Sequence, residues 1–334
     1  SSAASDVYKR QRQNISQLSL IKNRETTAVK KHLNTSITFY MSILFTTIFM
    51  GSSFPTGKYL ISNEHVPPML LGGWRFVIAG CMMLILTFMR NGERGILPTS
   101  KGNSYKGFIL VFVIGFLQTA GTMGLLNFAM AFGVSSSISS ILLFTNPLWL
   151  AFLAHFILDE RLTKIKITSL ILGVFGVGLC LGLDETLFGW GTLFALAGSL
   201  CWSINTIVTK KVVFDKGPWV LTGWQLLFGG MFMLIMSLVL KEHYTLSSLN
   251  HWGWIWFFWL IIPASVGSFG LWFYSLSQRG ATTASSFLFL VPLFSTLFSI
   301  IGLREPFTLH LILGGLCVVV ALMLIHRQPR KNVL

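Results

Sequence analysis

Charged side chains are scarce in this sequence, and acidic ones are the scarcest. Asp, Glu, Lys and Arg make up 11% of the 334 residues, whereas about 25% is usual in soluble domains. Only 11 residues are acidic, and we find none of them inside a long apolar run. A chain with 53% hydrophobic residues and so few charges cannot cover a water-facing surface with polar groups, which excludes an ordinary soluble domain.

Signatures of metal, disulfide and catalytic sites are also missing. The four cysteines have no CxxC spacing and no histidine at ligand spacing, which argues against a disulfide framework and a zinc site. The sequence contains no GxSxG, no HExxH and no paired aspartates within its apolar runs. We therefore expect no metal, no other cofactor and no enzymatic activity.

Long apolar runs are what this sequence has in abundance. A membrane-spanning helix needs about 20 mostly apolar residues. Ten runs approach or reach that length, at 38–61, 67–89, 107–130, 135–157, 165–183, 188–208, 218–240, 253–277, 282–303 and 308–326. The connections between them are short. The predicted fold class is an all-α membrane protein of ten transmembrane helices, with membrane lipids as its surroundings.

The basic residues fall between these runs in an alternating pattern. With the N-terminus in the cytoplasm, nineteen lie on the cytoplasmic side and two, Lys241 and Arg304, on the outer side. This bias predicts an integral protein of the cytoplasmic (inner) membrane with both termini cytoplasmic. The net charge of +14 is therefore explained by topology, and we expect no nucleic acid partner.

The two ends of the chain lie outside the apolar runs. Residues 1–11 resemble a translated sequencing adapter, and we expect them not to belong to the natural protein. Residues 12–37 are basic and are predicted to be a cytoplasmic tail or upstream sequence, and 327–334 a second basic cytoplasmic tail.

An internal repeat divides the rest of the chain into two units of five spans, 38–183 and 188–326. Its markers recur in pairs, namely Lys58 and Lys210, Arg75 and Gln225, Pro147 and Pro292, and Glu160 and Glu305. An odd number of spans places the second unit in the membrane upside down relative to the first. Inverted repeats are typical of secondary transporters, whose substrate binds near the midplane between the two units.

Several stretches resemble one known family. They include FMGSSFPTGKYL and LGGWRFVIAG in the first unit, and a proline-containing span followed by a Glu-x-x-Thr loop in both units. From about Met41 to His326 the sequence resembles the EamA-type branch of the drug/metabolite transporter superfamily. The resemblance implies ten spans and export or exchange of small polar metabolites by alternating access. The sequence departs from its own repeat at Gln225, opposite Arg75, and at Pro306, opposite Arg161.

Polar side chains inside the runs are the candidates for substrate binding. A charge within the bilayer needs a partner or a cavity, and only Lys58 and Arg75 are in that position. Lys58 lies near the outer end of its run, so snorkelling to the interface is the alternative. Arg75 lies about 10 Å deep, and its planar guanidinium suits a carboxylate or phosphate.

Uncharged groups form a second set of candidates. They are Trp74, Gln118, Asn127, Asn146, Trp202, Asn205, Trp224, Gln225 and Tyr274. Hydrogen bonding between helices is the alternative for the amides. We also predict that prolines loosen or break four spans, at Pro55, Pro147, Pro263 and Pro292. Three acidic residues at helix ends are expected to cap a helix or order a loop rather than relay protons, namely Asp159, Glu160 and Glu305.

The predicted function is a secondary transporter, an exporter or exchanger, whose partner is a small-molecule substrate. Amino acids and related metabolites are favoured, because phosphates would call for a larger cluster of basic residues. The alternatives are a nucleotide-sugar or sugar-phosphate exchanger, a membrane-embedded enzyme and a non-transporting scaffold. No sequence feature indicates an oligomeric state.

Overall fold

The computed structural model describes residues 37–157, 163–181, 189–210, 212–245, 248–285 and 287–326, and these contain helices and no strand. The predictions for 1–11, for residues 12–36 of the predicted tail 12–37, for Asp159 and Glu160 and for 327–334 lie outside the described residues. The helices are α1 Ile37–Ser62, α2 Pro68–Asn91, α3 Ser104–Ala131, α4 Ser136–Ile157, α5 Lys164–Leu181, α6 Trp190–Lys210, α7 Pro218–Val239, α8 beginning at His251, α9 Leu290–Leu303 and α10 Leu309–His326. Helix α8 consists of His251–Ile261, Ile262–Gly267 and Ser268–Ser285.

Most of these helices match a bilayer in length and composition. Within the described residues, seven are long and apolar enough to cross a membrane, namely α1 to α4 and α6 to α8, and α9 and α10 are shorter apolar helices. Large apolar side chains such as Ile171, Val174 and Leu238 are exposed, which fits contact with lipid. The protein is therefore an all-helical integral membrane protein.

Glycines bring two pairs of helices into backbone contact. In the α2–α7 pair, a Cβ placed on Gly80 would lie 2.7 Å from the Gly223 carbonyl oxygen, and one on Gly230 would lie 2.7 Å from the Val77 nitrogen. In the α5–α10 pair, a Cβ on Gly176 would lie 2.8 Å from the carbonyl oxygen of Gly314. Small residues at such crossings allow tight van der Waals packing without polar groups, the usual basis of helix association in lipid.

The four prolines that were predicted to loosen or break spans have different effects on their helices. Pro55 lies inside α1, which continues as an α-helix from Ile37 to Ser62, so the structure differs from the prediction of a break there. A proline removes one backbone hydrogen bond, and a transmembrane helix whose neighbours support it can continue through that loss. By contrast, a turn at Phe144 and Thr145 interrupts α4 just before Pro147.

The other two prolines lie at irregular points of the second half. Pro263 is in the Ile262–Gly267 stretch of α8, which is π-helical. Pro292 is in the first turn of α9, where its missing N–H has no intrahelical acceptor to lose.

Loops predicted on the cytoplasmic face contact each other. The Asp215 carboxylate, between α6 and α7, accepts hydrogen bonds from the backbone N–H of Lys101 (3.2 Å) and Gly102 (2.8 Å), between α2 and α3. These N–H groups, with Gly102 the stronger influence, lower the pKa of Asp215. Ser100 Oγ donates to the Val213 carbonyl at 2.7 Å. The two loops therefore lie on one face, as the sequence requires.

The opposite face also brings predicted neighbours together. The Glu64 carboxylate, just after α1, accepts from Asn250 Nδ2 at 2.5 Å, just before α8. Glu242, just after α7, accepts from the N–H groups of Met69 (3.3 Å) and Leu70 (2.9 Å) in the first turn of α2. We call this the predicted outer face.

Candidate functional site

Arg75 is the central charged group of the candidate site. It projects from α2 and is half-buried. Its Nε donates to Ser265 Oγ at 3.0 Å, and its Cζ lies 4.7 Å from the centroid of the Phe76 ring. Within the described residues, its two Nη groups have neither a carboxylate nor another hydrogen-bond acceptor. The guanidinium therefore keeps its bidentate donor face for a ligand or water.

Two π-helical stretches lie next to the pair of residues that the repeat aligns, Arg75 and Gln225. One stretch is Gly115–Gly124 in α3 and the other is Ile262–Gly267 in α8. Arg75 of α2 binds Ser265 in the α8 stretch, and the Gln225 carbonyl of α7 accepts from Thr119 Oγ1 in the α3 stretch at 3.3 Å. Stretches of this kind frequently mark functional sites because they widen the helix and redirect side chains.

Ser265 is the site residue that the sequence did not reveal. It is fully buried, and its hydroxyl donates to the Leu260 carbonyl, five residues earlier, at 2.8 Å. That bond leaves a lone pair of its oxygen aimed at Arg75. Ser265 lies in a run of small residues, and nothing in the sequence distinguishes a serine that accepts a hydrogen bond from arginine from one that only packs between helices.

Gln118 and Asn205 are brought together between α3 and α6. Asn205 Nδ2 donates to Gln118 Oε1 at 2.9 Å, and Asn205 Oδ1 has no partner within the described residues. Gln118 is half-buried and belongs to the π-helical stretch of α3. The pair is an interhelical hydrogen bond, the alternative that the sequence left open, with one acceptor unused.

Lys58 and Asn127 bind helix ends. Lys58 Nζ, half-buried, donates to the Met130 carbonyl at 2.7 Å, in the last turn of α3. Asn127 Nδ2 donates to the Pro68 carbonyl at 2.9 Å, where α2 begins. Both contacts anchor neighbouring helices to α3.

The three candidate tryptophans have different surroundings. Trp74 is 41% exposed. Trp202 packs edge-on against Phe144 with centroids 5.4 Å apart, beside the break in α4. Trp224 Nε1 donates to the Ile96 carbonyl at 2.6 Å, on the predicted cytoplasmic face. A bond to that loop makes Trp224 an anchor of the α2–α3 connection.

Asn146 and Tyr274 complete the candidate set. Asn146 is buried next to the break in α4, where its carbonyl accepts from Ser203 Oγ of α6 at 2.8 Å. Tyr274 on α8 is 43% exposed. Within the described residues, no group of three or more His, Cys, Asp or Glu side chains is arranged to hold a metal ion.

The predicted outer face contains a cluster built on Glu305, in the loop between α9 and α10. Its carboxylate accepts from the backbone and the hydroxyls of Ser136 and Ser137, the first two residues of α4. The sequence predicted a capping or loop-ordering role for Glu305 but did not identify the capped helix, because that helix begins 169 residues away along the chain.

Known proteins are similar to this chain in fold and in sequence. A solved crystal structure superposes with a TM-score of 0.58 at 18% identity, over 87% of this chain and 97% of that chain, which shows the fold alone. Two transporters of Bacillus subtilis named as uncharacterized, YoaV and YyaM, are 25% and 26% identical, over 83% and 90% of this chain and 93% and 97% of their own. A WAT1-related chloroplastic protein of Arabidopsis thaliana is 28% identical over 58% of this chain and 48% of its own.

One family model covers all the described helices. The description of that model is "EamA-like transporter family", and it matches twice, at residues 37–182 and 189–327. The two matches coincide with the two units read from the sequence and contain every helix that the structure describes. With its apolar helices and its relatives named as transporters, the chain belongs to the EamA-like transporter family.

Proposed function

We propose that this transporter moves small metabolites that carry a carboxylate, with amino acids and related compounds as the favoured class. It exports or exchanges them by alternating access between two inverted units of five spans each, in a cytoplasmic membrane with both termini inside. Arg75 anchors the negative group of the substrate, and Ser265 holds the guanidinium in position.

The observation that carries this proposal is the donor face of Arg75, whose two Nη groups have no partner among the described residues. A guanidinium within a membrane span is costly unless it meets water, a charge or a ligand. Ser265 occupies only Nε, and Phe76 contacts the plane of the group. The two Nη groups match a carboxylate in a bidentate geometry.

Two observations support inverted repeats of five spans. The family model matches the chain twice, and each matched unit has a π-helical stretch in its third helix. Each unit also has a turn just before the aligned prolines Pro147 and Pro292. Alternating access in such proteins proceeds by rocking one unit against the other around a fixed site.

Carboxylates are favoured over phosphates because, within the part of the chain that the structure describes, no second cation contacts Arg75. Lys58 is bound to the Met130 carbonyl, and Gln225 is neutral where the repeat would place a second Arg. A nucleotide-sugar or sugar-phosphate exchanger remains the second candidate transport function. A membrane-embedded enzyme is less favoured, because the sequence has no GxSxG, no HExxH and no paired aspartates within its apolar runs. A scaffold is less favoured because inverted repeats give it no advantage.

Substrate counterflow in proteoliposomes tests the proposal directly. Proteoliposomes that contain the purified protein are loaded with one unlabelled compound from a panel of amino acids, other carboxylates and sugar phosphates. Uptake of the same compound, labelled and added outside, is then measured. For a transported carboxylate, Arg75→Gln should weaken affinity by about 10- to 100-fold, the value of a hydrogen bond to a charged group. Arg75→Lys should restore affinity only in part, because an ammonium lacks the planar fork.

Thermal stability of the purified variants is the control for folding. If Arg75 instead extends to the lipid interface, Lys should replace it fully and Gln should alter insertion more than affinity. Unchanged affinity in a well-folded Arg75→Gln protein would rule out the anchoring role.

A further inference from the structure

The Glu305 carboxylate forms the densest set of charge-assisted hydrogen bonds in the described residues. Oε1 accepts from the Ser136 N–H (2.7 Å) and Oγ (2.6 Å), and Oε2 accepts from the Ser137 N–H (3.2 Å) and Oγ (2.6 Å). Both serines are fully buried. We call these three residues the Glu305 latch.

A second layer of hydroxyl groups extends the latch into the membrane. Ser136 Oγ lies 2.6 Å from Ser299 Oγ of α9, and Ser299 Oγ donates to the Ser295 carbonyl at 2.6 Å. The Glu305 N–H donates to the Ser299 carbonyl at 3.2 Å, across Arg304, whose φ of 54° is left-handed. The end of α9 therefore fixes the backbone position from which the Glu305 side chain extends.

Lys58 holds the other end of the same turn. The α3–α4 turn, residues 132–135, follows the last turn of α3, where Lys58 Nζ binds the Met130 carbonyl at 2.7 Å. A cation thus binds the C-terminal end of α3 and an anion the N-terminal end of α4, and both signs complement the helix dipoles.

The two contacts differ in which parts of the protein they join. Lys58, α3 and α4 all belong to the first family match, 37–182, whereas Glu305 belongs to the second, 189–327. Movement of one unit against the other would leave the Lys58 contact intact and would break the Glu305 contact.

The interface between α4 and α9 is suited to repeated opening. The α2–α7 and α5–α10 interfaces join the two units through glycines with backbones in contact. At α4 and α9, by contrast, the units meet through buried hydroxyls and one carboxylate. Hydrogen bonds of this kind can be exchanged for bonds to water when the interface opens, which a close-packed apolar interface cannot do.

We infer that the Glu305 latch closes the outer gate of the transporter, and that its four hydrogen bonds set the balance between the closed and open outer face. This inference rests on the alternating access proposed above. It assigns Glu305 to the conformational equilibrium and not to substrate binding. Both oxygens of the Glu305 side chain act as acceptors in the closed state, so Glu305→Gln, which replaces one acceptor with an amide donor, should weaken that state.

Accessibility of a cysteine behind the latch provides the test. Ser140 is fully buried on α4, about one turn inside the latch. The Ser140→Cys protein is reconstituted in nanodiscs, where reagent reaches both faces, and its labelling rate with a water-soluble maleimide is measured. The parent protein gives the background from the four native cysteines. Adding Glu305→Gln should raise the labelling rate about tenfold, equivalent to about 1.4 kcal/mol.

Glu242→Gln is the matched control. It makes the same charge change on the same face, at a carboxylate that also joins the two units and caps a helix. Since α2 and α7 remain in glycine contact, labelling at position 140 should not change. If Glu305→Gln does not fold, Ser137→Ala, which removes one donor, should give a smaller increase.

Two results would overturn the inference. One is an unchanged labelling rate in a well-folded Glu305→Gln or Ser137→Ala protein. The other is an equal increase in Glu242→Gln, which would indicate general loosening of the outer face. Labelling requires no substrate, so a failed transport assay and a failed latch are separate outcomes.

Discussion

At the scale of single residues, the orientation of the Arg75 guanidinium depends on one serine in another helix. Ser265 Oγ is both a donor to the Leu260 carbonyl and the acceptor for Arg75 Nε. The contact orients the guanidinium by fixing its Nε edge, which leaves the two Nη groups for the substrate in the function proposed above. Ser265 is therefore a positioning residue, and the consequences of its loss should appear in substrate affinity.

Ser265→Ala should raise the KM for a transported carboxylate about tenfold, because a hydrogen bond to a charged group contributes about 1.5 kcal/mol. The measurement is counterflow at varied substrate concentration. Ser268→Ala is the control, since Ser268 is equally buried near the same stretch but bonds only carbonyls of its own helix within the described residues. Equal effects of the two substitutions would contradict a specific role for Ser265.

The sequence could identify Arg75 but not its partner. An arginine about 10 Å into an apolar run is rare, because a charge inside the bilayer is energetically costly. Its position in the sequence is therefore enough to identify it. Its partner lies 190 residues further along the chain, and nothing in that stretch distinguishes Ser265 from the serines that pack helices. The same limit applies to Lys58, whose acceptor is a backbone carbonyl and therefore has no residue type to recognise.

At the scale of helices, the break in α4 is supported by serines of α6. Pro147 has no N–H, which leaves the carbonyl of Leu143 without its intrahelical donor. Ser199 Oγ of α6 donates to that carbonyl at 3.0 Å and lies 3.1 Å from Thr145 Oγ1. The sequence predicted the loosening at Pro147, but the supporting hydroxyl belongs to another helix and became evident only in the fold.

A double-mutant cycle should reveal this compensation. Ser199→Ala should cost about 1 kcal/mol of stability, because it leaves the Leu143 carbonyl unsatisfied in the interior. In a Pro147→Ala background the restored N–H can serve that carbonyl, so the same substitution should cost less. Thermal unfolding of the four proteins in detergent measures the coupling. Strict additivity would mean that Ser199 does not compensate for the proline.

Connections between helices also contribute, and one of them depends on pH. Because the N–H groups of Gly102 and Lys101 lower the pKa of Asp215, folding favours its charged form. That contribution is present above the unfolded pKa of about 3.9 and is lost as pH falls through the lower folded pKa. Asp215→Asn should therefore lower the unfolding temperature slightly at pH 7, and the difference should disappear in strong acid. A difference that persists in acid would contradict this origin.

At the scale of the whole molecule, the loops divide into two groups that the charges also separate. Loops with many Lys and Arg residues meet at Asp215, and those with few meet at Glu64, Glu242 and Glu305. Periodicity and charge were enough to predict this division, because lipid imposes helices of fixed length and the cytoplasmic face attracts cations. Which helices touch was not predictable, since glycine contacts such as Gly80 with Gly223 leave no charge pattern to read.

Cysteine accessibility in intact cells tests the orientation. Ser248 is exposed between α7 and α8, and the side chain of Val213 is 62% exposed between α6 and α7. The nineteen-to-two charge bias predicts that Ser248→Cys reacts with an impermeant maleimide in intact cells and that Val213→Cys reacts only after permeabilisation. Both sites lie in loops, so neither substitution should disturb a helix, and the parent protein corrects for native cysteines. Since α7 alone separates the two positions, labelling of both from one side would mean that α7 does not cross the membrane. Reversed labelling would place the termini outside, and the latch at Glu305 would then face the cytoplasm.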